Sequence, residues 1–115
     1  MAKFERQLRG NFESLLQTLN KEILGRSISA SFQNGSDFAI GNVRCAVRVY
    51  ERYSVIGSSR LAANITLLGK EDDLFLSVIA SGGSQAMFFK INTWGEEAFA
   101  EKIEQIVDQW AKHAK

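Results

Sequence analysis

Three stretches, VRCAVRVYERYSV, RLAANITLL and LFLSVIAS, follow one another closely between residues 43 and 81, and each alternates its side chains in steps of two. Period two places successive side chains on opposite sides of an extended chain, so this third of the sequence demands a sheet. In the first stretch Val43, Cys45, Val47 and Val49 share one side, and Arg44, Ala46, Arg48, Tyr50 and Arg52 share the other. In the second, Leu61, Ala63, Ile65 and Leu67 fall together, and in the third Leu74, Leu76, Val78 and Ala80. Short turns around Gly57-Ser58 and at GKEDD join them, which makes an antiparallel meander. The more apolar side of each strand is expected to face the core. The three inward sets then align if the first hairpin loop is odd and the second even in length.

Two helical patterns bracket the strands. Phe12, Leu15, Leu16, Leu19 and Ile23 recur at three- and four-residue steps, with Asn11 as N-cap, Glu13 in the first turn and Gly25 as the C′ residue, so a helix is expected over about residues 12 to 24. Near the end, Phe99, Ile103, Ile106, Val107, Trp110 and Ala114 form a second apolar stripe. TWGE reads as a capping box with Thr93 as N-cap and Glu96 at N3, and Lys112, His113 and Lys115 suit the negative end of the helix dipole.

The remaining extended segments are shorter. Residues 3–7 spell KFERQ, which matches a lysosomal targeting pentapeptide of animal cells but reads more simply as an opening edge strand with Phe4 and Leu8 inward. SISASF alternates Ile28, Ala30 and Phe32 against three serines, which predicts a strand, and Asn34-Gly35 predicts a tight turn after it. Asp37 to Ile40 is extended again, and Gly41-Asn42 marks a bulge or a second turn. The order β-α-β-β-β-β-α with two amphipathic helices predicts one α+β domain over residues 1–115, a two-layer sandwich with both helices on one face of an antiparallel sheet. That order resembles TATA-binding-protein-like and helix-grip domains in topology, a likeness that carries no function with it.

A two-layer sandwich leaves one sheet face bare. On the register above it carries Arg44, Arg48, Tyr50 and Arg52 beside Leu68, Phe75 and Ile79, an apolar patch rimmed by arginines and a candidate interface. The stretch SGGSQAMFFKINTWGEE is also too apolar for an ordinary connector. Gly82 and Gly83 allow a sharp turn, and Met87, Phe88, Phe89 and Ile91 are expected to plug the open end of the core or, alternatively, to form a lid over a pocket.

Composition narrows the function classes. Fourteen basic and thirteen acidic side chains give a net charge of +1, which calls for neither nucleic acid nor an anionic membrane as a global partner. A single cysteine excludes an intrachain disulfide, MAKFERQLRG has no apolar signal region, and no apolar run approaches the ~18 residues of a membrane span, so a cytoplasmic location is expected. No metal site, cofactor or catalytic residue is implied. Cys45 and His113 stand alone, Cys45 reading as a small core residue, and the carboxylate pairs Asp72-Asp73 and Glu96-Glu97 have places in a turn and a helix cap.

Taken together, FAIGNVRCAVRVYERYS and SGGSQAMFFKINTWGEEAF resemble a family of small bacterial proteins, a domain of unknown function common in Firmicutes, over nearly the whole chain. The resemblance implies a bacterial cytosolic protein and supplies no activity. The expectation is a non-enzymatic domain that forms a homodimer or binds a protein through its open sheet face. The alternative is an apolar-ligand binder with a pocket between sheet and C-terminal helix, reported by Trp94 and Trp110.

Overall fold

A computed structural model describes residues 1–54, 59–82 and 89–113. The elements are β1 (Ala2–Arg9), α1 (Phe12–Arg26), β2 (Ser31–Ile40), β3 (Val43–Ser54), β4 (Ser59–Lys70), β5 (Asp73–Gly82) and α2 (Phe89–His113). The five strands form one antiparallel sheet in the order β1-β5-β4-β3-β2. Helix α1 carries the chain from one edge of the sheet to the other, and the meander returns it. Both helices pack on the same face, giving the expected α+β sandwich.

The core lies between that face and the helices. Leu61, Ala63, Ile65 and Leu67 of β4 and Leu74, Leu76 and Val78 of β5 meet Phe12, Leu15, Leu16, Leu19 and Ile23 of α1 and Phe99, Ile103, Ile106 and Val107 of α2, all buried. Phe4 and Leu8 extend it under α2 from β1, whose exposure alternates along its length. Arg6 fastens that edge by pairing with Glu104 and Asp108 of α2. The two helices are joined by Trp110 Nε1, which donates to Ser14 Oγ at 3.0 Å, and by Arg26, which donates to Gln109 Oε1 at 2.8 Å.

Local signals are honoured unevenly. Asn11 caps α1, its side chain accepting from the Ser14 N–H at 2.8 Å. Gly10, at φ +150°, takes the bend before it and donates to the Asp72 carbonyl at 2.9 Å. Gly25 is not the C′ residue: the helix runs through it to Arg26, whose side chain pairs with Glu22 one turn back, and extended Ser27 ends it. Residues 27–30 are not a strand, and Ile28 is fully exposed. Asn34-Gly35 makes no turn. It lies inside β2, just past a register shift between Phe32 and Asn34, and the hairpin is made by Gly41 (φ +61°) and Asn42. A second Asn-bearing turn signal nearby, with Ile40 and Val43 closing it, outcompetes the first.

Thr93 is likewise not an N-cap, because α2 already begins at Phe89. Glu96 is therefore internal to the helix. Its buried carboxylate lies against the Met1 amino nitrogen, in ion contact without the geometry of a directed hydrogen bond, and close to Gly82. Gly83, Met87 and Phe88 lie outside the described residues, as do the side chains of Phe89 and Ile91, so the plug and lid expectations both fall outside the description.

Gly69 shows how tightly α1 is seated. A Cβ there would stand 2.5 Å from Cδ2 of Phe12 and 3.2 Å from Cδ2 of Leu74. Gly69→Ala is expected to destabilise the fold by about 1–3 kcal/mol through overpacking, read by chemical denaturation, although the same change usually helps a strand.

Candidate functional site

The face of the sheet turned away from the helices is fixed by register. Ser54 pairs with Ser59, so the β3–β4 connector has an even number of residues, and every pair across these strands joins an even position to an odd one. Tyr50 therefore stands beside Ala63 and Ala46 beside Leu67, all in the core. Val43, Cys45, Val47 and Val49 lie on the bare face.

This reverses the sequence-based assignment for β3. Arg44, Arg48, Tyr50 and Arg52 are on the helix side. Arg44 stacks on the Phe12 ring at 4.2 Å and lies 3.6 Å from Glu13. Arg52 stacks on Phe99 at 4.7 Å, and burial lowers its pKa from the usual value. Arg48 donates to both carboxylate oxygens of Asp37 at 3.0 and 3.2 Å. These arginines flank the helix layer, cover its aromatic rings with their guanidinium groups and tie β2 to β3. They form no platform on the open face.

Tyr50 is the largest fully buried side chain of the set, and its hydroxyl donates to Asn20 Oδ1 at 2.7 Å. Desolvation raises its pKa above 10.0, and the neighbouring Arg48 guanidinium offsets part of the rise. An unfolded tyrosine ionises at lower pH than this one, so the stabilisation is fully present below about pH 10 and is lost as pH rises through the folded value. Denaturation free energy is expected to fall above about pH 10, and to fall less in Tyr50→Phe. Equal alkaline slopes for the two chains would remove Tyr50 as the source.

Leu68, Phe75 and Ile79 do lie on the bare face, and the structure adds partners that sequence reasoning had missed. One cross-strand row runs Phe38, Cys45, Leu68, Phe75, Gln7 across all five strands. Ile40 and Val43 pair at one flank of it and Val47 lies at the other, while Val49 and Ile79 stand on either side of Asn64 two rows on. Ile40 is 77% exposed, Phe38 53%, Leu68 41% and Ile79 38%. Cys45 is buried, but among these residues rather than in the core beneath the helices. Polar groups border the patch: Lys3, Glu5, Gln7 and Arg9 line β1, Glu5 accepts from Ser77 Oγ, and Arg9 pairs with Asp73. The signal for Phe38 and Ile40 was present in the sequence, where they alternate with Asp37 and Ala39.

Among the described residues, the side chains of the sheet and of α2 from Phe99 onward pack closely. The cavity bounded by Ile23, Arg52, Phe99, Ile103 and Ile106 offers about 10 Å³, at the lower limit for one water. Among the described residues no three His, Cys, Asp or Glu side chains come together to hold a metal ion, and no helix is long and apolar enough to cross a membrane.

Residues 1–111 match the model of a family of unknown function, DUF6054, and the chain belongs to that family. No curated protein and no solved structure matches it.

Proposed function

We propose that this member of the family is a non-enzymatic, self-associating domain whose contact surface is the open face of the sheet. One observation carries the proposal: β3 turns the side bearing Val43, Cys45, Val47 and Val49, with Glu51 after them, away from the core and its arginine-bearing side toward the helices. A solvated sheet face should show the opposite preference. Large apolar surface rimmed by polar groups marks an interaction site.

The size suits a second copy. Five strands about 4.8 Å apart and roughly eight paired residues long, at about 3.3 Å each, give a face of roughly 600 Å² in projection. Side-chain relief brings this near the ~800 Å² per partner of a standard interface. Stacking two such faces about 10 Å apart sets apolar rows against apolar rows, as in a β-sandwich. The border is mixed in sign, with Lys3 and Arg9 against Glu5 and Asp73, so two copies meet without a net repulsive field.

The test is methyl NMR with a soluble paramagnetic probe over a dilution series. The Leu68 and Ile79 methyl groups are expected to be shielded at high concentration and to relax faster on dilution. Full exposure of both at every concentration, in a sample that is associated, would rule this face out.

A further inference from the structure

The two edges of the sheet are treated differently. The β1 edge carries Lys3, Glu5, Arg6 and Arg9 among its eight residues, and α2 lies over it through Arg6, Glu104 and Asp108. Charge and a covering helix are the usual means of keeping an edge from pairing with another chain. Among the described residues the β2 edge has no covering helix and little charge. Its ten residues carry one charge, Asp37, which Arg48 of the same chain neutralises, and every position from Phe32 onward is exposed. Asn34 to Ile40 pairs regularly with β3, the irregularity lying before it.

We propose that β2 is a strand-pairing edge and that its partner is β2 of a second copy, antiparallel about a two-fold axis at Phe38. The proposal rests on the self-association reading and adds a second contact to it. In this register Asp37 of one copy faces Ala39 of the other, so no like charges meet. Phe38 faces Phe38, and the apolar row Phe75, Leu68, Cys45, Phe38 runs across the seam into the same row of the second copy. The five strands of each copy become one continuous sheet. Symmetry gives the second copy a matching row and a neutral edge, which an unrelated strand would have to supply independently. Two joined sheets closing through their open faces make an assembly of four chains with two kinds of two-fold contact.

Ala39→Glu separates the two contacts. Ala39 is on the helix side of β2, so the new carboxylate leaves the open face untouched. In the paired edge it stands opposite Asp37 of the other copy, twice per seam. Sedimentation velocity on the full chain, with near-ultraviolet dichroism as the check on folding, is expected to show Ala39→Glu at half the wild-type mass. Phe75→Glu is expected at half as well, and the double variant as a single chain of 12.8 kDa. Ala39→Glu at the wild-type mass would overturn the edge while leaving the face standing. Phe75→Glu at the wild-type mass, with Ala39→Glu reduced, would overturn the face and keep the edge. A monomeric wild type would overturn both and leave the edge to a strand of another protein. Amide exchange at residues 36–40 gives a second readout: slower in wild type than in Ala39→Glu if the edge is paired, and equal if it is not.

Discussion

Phe75→Glu is expected to leave the fold intact and abolish association through the open face. Phe75 stands between Leu68 and Gln7 on the side of β5 away from the helices, and it is absent from the buried core. In a free chain the glutamate points into water, so the stability of the single chain should change by less than about 1 kcal/mol. In a face-to-face contact the same carboxylate would be buried among apolar side chains without a partner, a cost of several kcal/mol. At about 1.4 kcal/mol per factor of ten, ~3 kcal/mol weakens association by roughly a hundredfold. Light scattering gives the mass and thermal melting in dilute solution gives the fold. A folded variant with undiminished mass would exclude this face as the contact.

The second large effect concerns the orientation of β3. Tyr50→Ala is expected to destabilise the chain by about 3–5 kcal/mol, the range for removing a buried aromatic ring. The change also leaves Asn20 without the hydroxyl at 2.7 Å. Val47→Thr, one strand position class over and on the open side, is expected to cost less than about 1 kcal/mol. Both are best measured by denaturation in the Ala39→Glu, Phe75→Glu double variant, where association does not mix with unfolding. A small effect at Tyr50 beside a large one at Val47 would mean that β3 is turned the other way.

That strand also shows where the sequence could and could not be read. The faces of β4 and β5 followed from alternation alone, since Leu61, Ala63, Ile65 and Leu67 contrast with Asn64 and Thr66, and Leu74, Leu76 and Val78 face the helices as expected. In β3 the same rule chose the wrong side. Its valines are more apolar than its arginines, but the helix layer is narrow there. Phe12 and Phe99 offer ring faces that Arg44 and Arg52 cover, while Ala46 and Tyr50 fill the space between. Loop parity decided the matter, and parity depends on where pairing ends, which no local pattern states. Helix ends were missed for a related reason. Gly25 and Thr93 are strong stop and start signals, but packing of Ile23 on one helix and early helical structure from Phe89 on the other override them. The candidate site was half legible: Leu68, Phe75 and Ile79 were placed on the open face, Phe38 and Ile40 were signalled by alternation but passed over, and Cys45 and Val47 required the register.

The strand that misled the pattern is also the strand that makes the case for a partner. Under the proposed reading, the open face of a second copy covers its outward-facing valines. The central claim is met most directly by the solution mass of the wild-type chain, by light scattering across a concentration series at physiological salt. A mass at least twice the 12.8 kDa of one chain, falling on dilution, is the result expected. A constant 12.8 kDa at every concentration would contradict the account.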